Sequence, residues 1–256
     1  MSIAEKVRMK IRRMEPGTVF LISDLPTYGV EKRATTKAVS YYYNNENFNN
    51  KHGRLRKIAD GLYYKEEKGF LGSLPPSYDA VLYALIMSKN KKVGFITGHQ
   101  LFNKTGLSTQ VPAVTTVVTS KNAPSSINID GIRINVIRKV KKIKENDIKR
   151  YEFEYILNNL NKVQSIESEH ILESLSSYID MIYHDEKQFD ELYKNLQYKK
   201  NKAFLGALIE DYQEEYNKNF DHFLNRIKND LSDRSKYKVG GLVNYINHNK
   251  EWNIEF

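Results

Sequence analysis

The chain has 256 residues, of which 40% are hydrophobic and 28% charged, enough for one large domain or two to three small ones with packed cores. Cysteine is absent, which excludes disulfides and thiolate metal sites, and no run of 18 apolar residues offers a transmembrane span. The net charge of +9 is uneven: +5 over residues 1–67, +10 over residues 68–150 and −6 over residues 151–256. A basic lobe of that size points to a polyanionic partner and would steer its approach. Residues 1–6 lack an apolar signal core, so a cytoplasmic location is expected and no membrane partner.

Residues 2–14 read as a first helix. Ser2 is placed to cap it, Glu5 three residues on completes a capping box, and Ile3, Val7 and Ile11 form one apolar stripe. Pro16-Gly17 ends it, and residues 18–22 make a short strand. Ser23 or Asp24 could cap a short second helix, with Pro26 and Gly29 marking the turn before a third. In that third helix, over residues 31–43, Ala34, Ala38, Val39 and Tyr42 face inward, and Lys32, Arg33, Thr36, Lys37 and Ser40 face wholly or partly outward. Residues 44–53 read as a polar connector. A basic hairpin follows over residues 54–65, turning at Asp60-Gly61 in the type I′ manner.

Residues 69–77, with Pro75-Pro76, read as a linker. Beyond it the pattern predicts an apolar helix over 78–87, strands over 93–96, 114–119, 127–129 and 132–137, and a short helix over 98–106. The last two strands flank a hairpin turn at Asp130-Gly131. From about residue 145 the chain turns to amphipathic helices, with no proline after Pro124. A Gly240-Gly241 break interrupts a final segment that ends near Trp252. The expected architecture is α+β: a winged helix-turn-helix over 1–68, a small central α/β unit over 77–140 and a helical C-terminal region over 141–256.

Motifs for chemistry are sparse. The histidines are His52, His99, His170, His184, His222 and His248, and no two share a helix face at i, i+4. The sequence has no P-loop, no HExxH and no GxGxxG, so no metal, cofactor or catalytic residue is expected. Asp60 with Glu66-Glu67-Lys68 matches the D…ExK pattern of metal-dependent nucleases. A hairpin would hold those carboxylates about 20 Å apart, too far to share an ion. Ser108-Thr109-Gln110 has no general base beside it and reads as a loop that orders the core.

Helix followed by basic hairpin is how a winged helix-turn-helix meets a duplex. On that reading Thr35, Thr36 and Lys37 reach base edges, with Lys32 and Arg33 at the helix start and Ser40 further along. Arg54, Arg56 and Lys57 on the wing grip the backbone or minor groove. The competing readings are a solvated cationic face, a nuclease-like defence enzyme with scattered carboxylates, and an interaction module whose acidic C-terminal helices dock a basic protein.

The order helix, Gly17-Thr18-Val19-Phe20, Ser23-Asp24-Leu25, third helix, basic hairpin and Gly61-Leu62-Tyr63-Tyr64 resembles the N-terminal domain of AbiEi-type antitoxins of type IV toxin–antitoxin systems. The run from Gly98 through Gly106-Leu107-Ser108-Thr109-Gln110-Val111-Pro112 looks like that family's G-x-x-A-x-N-x-x-G-L-S-T-Q-V-P stretch, with Leu101 where the family tends to have Ala. Asn201-Lys202-Ala203-Phe204-Leu205-Gly206-Ala207-Leu208-Ile209-Glu210 is similar to its C-terminal helix, and Tyr41 stands where an Arg is common. The resemblance implies a bacterial antitoxin in phage defence. Such a protein binds inverted repeats of operator DNA, represses its own operon, and counteracts a nucleotidyltransferase-like toxin without requiring a stable complex.

Overall fold

The computed structural model describes residues 1–70, 72–129, 131–139, 141–163 and 171–255. His170 and the Asp130 half of the predicted Asp130-Gly131 turn lie outside them. Helix α1 (Ile3–Arg12) carries the expected capping box: the Glu5 amide donates to Ser2 Oγ at 3.2 Å, and the Ser2 amide donates to Glu5 Oε2 at 2.7 Å. Strand β1 (Val19–Leu21) follows. The expected second helix shrinks to one 3₁₀ turn over Ile22–Asp24, closed by the Leu21 amide donating to Asp24 Oδ2 at 3.0 Å.

Helix α2 (Lys32–Asn44) buries the predicted face except at its start, where Thr35 rather than Ala34 turns inward. Thr35, Ala38, Val39 and Tyr42 are buried, while Ala34 is only half-buried. The predicted connector is instead a short helix, α3 (Glu46–His52). Asn49 accounts for it: its Nδ2 donates to the Tyr43 carbonyl and its Oδ1 accepts from the Leu55 amide, both at 3.1 Å. Strands β2 (Leu55–Ala59) and β3 (Leu62–Lys65) form the hairpin, and the sheet order is β1-β3-β2, antiparallel throughout. Gly61 takes φ +77° but Asp60 stays out of the positive-φ region, and the register shifts between Lys57 and Ala59. The turn is therefore not type I′, which needs both residues at positive φ. The predicted linker holds a second hairpin, β4 (Glu67–Gly69) with β5 (Gly72–Leu74).

Next come α4 (Tyr78–Ile86), the hairpin β6 (Met87–Ser88) and β7 (Lys91–Lys92), then β8 (Gly94–Thr97) and α5 (His99–Lys104). Strands β9 (Val114–Thr119), β10 (Ser126–Ile129) and β11 (Ile132–Arg138) complete a sheet of order β10-β11-β9-β8. In it β10 and β11 are antiparallel, whereas β9 and β11 run parallel from Val114↔Arg133 to Thr119↔Arg138. The C-terminal region is helical: α6 (Ile148–Asn158), α7 (Ile171–His184), α8 (Glu186–Asn195), α9 (Lys199–Tyr216) and α10 (Asp221–Asp230). Two short strands, β12 (Tyr237–Lys238) and β13 (Ile254–Glu255), pair in parallel at its end.

The chain divides into two compact units rather than three. Unit 1 comprises residues 1–96 and 113–145, and unit 2 comprises residues 97–112 and 146–256. The predicted 1–68 and 77–140 blocks fall together because they share a core. Alternate residues of a strand face opposite sides of the sheet. Phe20 and Tyr63 pack with Val7, Ile11, Val39 and Tyr42 from α1 and α2. Val19, Leu21 and Leu62, on the other face, pack with Val81 and Leu85 of α4 and with Val117, Ile127, Ile134 and Val136 of the second sheet. Burying those three aliphatic side chains contributes roughly 5–8 kcal/mol, which ties the N-terminal sheet to the central one. Residues 97–112 join unit 2 through Leu101, Phe102 and Leu107, which are buried with Phe153, Ile156, Leu175 and Leu205.

Candidate nucleic-acid interface

Helix α2 presents two outward rows at i, i+4, i+8 spacing. In the first, Arg33 and Lys37 are exposed and Tyr41 is 60% exposed. In the second, Lys32 is exposed while Thr36 and Ser40 are half-buried. The Lys32 ammonium lies 5.7 Å from the centre of the Tyr28 ring, a cation–π contact that leaves its charge at the start of the helix. Thr36 Oγ1 donates to the Lys32 carbonyl at 2.9 Å. That bond commits its proton within the helix, so Thr36 offers a methyl group and an acceptor rather than a phosphate donor.

Thr35 requires a correction. It lies on the inward face with Ala38, Val39 and Tyr42, fully buried, and its hydroxyl has no partner among the described residues. It takes no part in an outward contact surface.

The wing cations divide into free and paired. Arg54 is exposed and in no ion pair with a described residue. Arg56 donates from Nε and Nη2 to Glu66 Oε1 at 2.9 and 2.8 Å. Burial alone would raise the Glu66 pKa, but hydrogen bonds from Ser73 and Arg56 outweigh it and hold the carboxyl below its usual range. The same bond raises the Arg56 pKa. Arg56 therefore fastens β2 to the segment after β3, and its charge is largely spent inside the protein. Lys57 pairs with Asp60 at 2.5 Å across the turn. That pair is exposed, Asp60 by 94% at its side chain, so Lys57 can be transferred to another anion at little cost. The cations left available are Lys32, Arg33, Lys37 and Arg54, with Thr36 and Ser40 at their edge.

Thr36 and Ser40 also face a cleft of about 420 Å³ whose other walls are Lys57, Asp60 and Tyr63 of the wing and residues 122–124. That last loop is fastened to the turn before α2. Lys121 Nζ reaches Asp24 Oδ1 at 2.8 Å and the Met87 carbonyl at 2.9 Å, and donates to the Ala84 carbonyl. Asn122 Nδ2 donates to the Tyr28 hydroxyl at 3.0 Å. Sequence reasoning misses both residues. Lys121 meets a partner 97 positions away, and no local pattern announces that.

The D…ExK residues do not converge. Asp60 sits on Lys57 at the turn tip, whereas Glu66 sits on Arg56 at the far end of the hairpin. Among the described residues no three His, Asp or Glu side chains are grouped to hold a metal ion. The Ser108 hydroxyl accepts from the Gln110 amide at 3.2 Å, and Asn103 Nδ2 donates to the Gln110 carbonyl at 2.5 Å. Gly106, at φ +71°, makes the turn that lets Leu107 enter the core. This run is built as a tied loop. Residues 201–210 lie in α9, where a Cβ at Gly206 would collide with the Trp252 ring.

These features define a mixed α+β protein with a basic helix-and-hairpin face in one unit and a helical core in the other. The chain belongs to DUF6088, a family of unknown function whose model matches residues 6–189. No curated protein and no solved structure matches the chain. No helix among the described residues is long and apolar enough to cross a membrane.

Proposed function

We propose that this protein is a DNA-binding antitoxin and autorepressor of a type IV toxin–antitoxin operon, acting on double-stranded operator DNA and against a nucleotidyltransferase-like toxin. The observation that carries the DNA half is the exposed row Arg33–Lys37–Tyr41 of α2, with Lys32 beside it, next to a β-hairpin in a β1-β3-β2 sheet. This order resembles that of a winged helix, with the second helix reduced to one 3₁₀ turn and α3 added before the hairpin, and on this reading α2 enters the major groove. Arg33 and Lys37 can clamp phosphate or read guanine, Thr36 can meet a thymine methyl, and Arg54 can hold the neighbouring backbone. The antitoxin half rests on the likeness of residues 98–112 and 201–210 to AbiEi-type antitoxins.

Binding of the purified chain to the DNA upstream of its own gene, across a salt series, tests the first half. The log of the affinity should fall with log salt at about −0.9 per phosphate contacted. A flat response, or equal affinity for unrelated duplexes, would refute it. Co-expression with a neighbouring nucleotidyltransferase-like reading frame tests the second half. Growth should be restored by this chain and not by a frame-shifted copy.

A further inference from the structure

The most basic stretch of the chain is not the helix-and-hairpin face. Between positions 80 and 144 a single acidic residue occurs, Asp130. The fold gathers most of the cations of this stretch at one end of the second sheet, Arg133 lying at the other end and Lys104 in unit 2. The Ser120 amide donates to the Val93 carbonyl at 3.0 Å, and the Lys139 amide donates to the Thr119 carbonyl at 2.9 Å. The β6–β7 hairpin, the exit of β9 and the exit of β11 therefore stand side by side, about 5 Å apart per strand. Lys89, Lys91 and Lys92 on the hairpin are exposed, as are Arg138, Lys141, Lys142 and Lys144 after β11. None of these seven is in an ion pair with a described residue. The hairpin turns through Lys89 and Asn90 at φ +48° and +62°, a left-handed pair that fixes a lysine at its tip.

The β6–β7 hairpin adjoins the turn before α2. A cleft of about 530 Å³ has Asp24, Pro26 and Gly29 on one wall and Met87, Lys89 and Lys121 on the other. Gly29 is three residues before the first residue of α2, and Lys121 ties the walls together through Asp24.

We propose that the β6–β7 hairpin together with Arg138, Lys141, Lys142 and Lys144 forms a second phosphate-binding surface, which extends the DNA footprint past the N-terminal end of α2. This rests on the DNA-binding reading above and assigns it a contact region outside the winged helix. Seven cations with no internal carboxylate repel one another, and a duplex backbone relieves that by releasing its own counterions. Because such contacts carry no base information, the surface adds affinity without changing sequence choice.

The test uses the full chain and a fluorescently labelled duplex of roughly four helical turns from upstream of its gene. The variants are K89Q/K91Q/K92Q, R138Q/K141Q/K142Q and, on α2, R33Q/K37Q. Each second-surface variant should flatten the salt slope by roughly 2–3, about 0.9 for each phosphate no longer neutralised, and shorten the hydroxyl-radical footprint at one end only. Both should retain the wild-type preference for the upstream duplex over a scrambled one. If R33Q/K37Q weakens binding while both second-surface variants keep the wild-type slope and footprint, the second surface is refuted and α2 stands. It is refuted equally if they change only self-association in sedimentation, which would assign the cations to an acidic surface of another copy. If the wild-type chain binds neither duplex, the DNA-binding reading fails and this inference with it.

Discussion

Unit 1 carries 24 Lys and Arg against 11 Asp and Glu, a net of +13, while unit 2 carries 16 against 20, a net of −4. The more telling contrast is how each unit uses its cations. In unit 2 several of them are engaged twice. Lys202 pairs with Asp230 and lies over Tyr193, Lys218 pairs with Asp180 and lies over Tyr183, and Lys228 pairs with Glu210 and lies over Trp252. Arg226 likewise joins Asp190 and the Phe189 ring. In unit 1 the internal pairs Arg56–Glu66, Lys57–Asp60 and Lys121–Asp24 leave most cations over. The same residue types thus brace the helical packing at these places in unit 2, whereas few ion pairs among the described residues engage them in unit 1.

The largest expected effect attacks that division directly. R33Q/K37Q should cost about 2–4 kcal/mol of duplex affinity, on the order of 100-fold, with the melting temperature nearly unchanged. K218Q/R226Q removes as many charges from unit 2. It should leave affinity within about 3-fold and lower stability by about 1 kcal/mol per pair at most. Equal losses of affinity in the two double variants would erase the contrast. G206A comes next. The Trp252 ring occupies the space a methyl group needs, so unfolding in urea should shift by about 2 kcal/mol while the salt slope of DNA binding stays as in the wild type.

What the sequence allows, and what it hides, follows the range of the interactions concerned. The capping box of α1 and the span of α2 are readable because their signals lie within a few residues. Helix α3 is not. Its run Asn47-Phe48-Asn49-Asn50 is poor helix material, and the bonds from Asn49 to Tyr43 and Leu55 that hold it come from flanking elements. The place of Thr35 comes out wrong because Ala34 and Thr35 are both small. Only the packed core decides which of them turns inward, so pattern alone sends Thr35 to the outer face. The pairing of Arg56 with Glu66 is hidden as well. It converts a residue with the look of a DNA contact into a fastening of the wing. The merger of the first two predicted domains lies in the second face of β1 and β3, whose fully buried partners are downstream of position 77.

Two smaller effects sharpen the comparison. D60N removes the acidic group at the wing tip and frees Lys57. It should tighten duplex binding about 3-fold, measured by anisotropy at fixed salt, whereas a loosening would mean that the Lys57–Asp60 pair shapes the wing. The smallest effect belongs to unit 2. Burial disfavours the charged ring of His248, but the hydrogen bond to Asp211 at 2.5 Å, with Glu210 and Glu214 nearby, outweighs it and raises the pKa above the ordinary histidine value. Stability gained this way is complete in mildly acidic solution and is lost as pH climbs through the raised value. The urea midpoint should therefore fall as pH rises above the ordinary histidine value of about 6.5, and H248Q should flatten that dependence.

The excursion of residues 97–112 has a consequence for inheritance. The polypeptide leaves unit 1, contributes Leu101, Phe102 and Leu107 to the other core, and returns before β9. No single break in the gene separates the two units. A fragment ending at 145 would carry three orphaned apolar side chains, and one beginning at 151 would lack them together with Lys104, the partner of the buried Glu152. A single crossover therefore does not exchange either unit whole, because the chain passes between them at three places, after residues 96, 112 and 145.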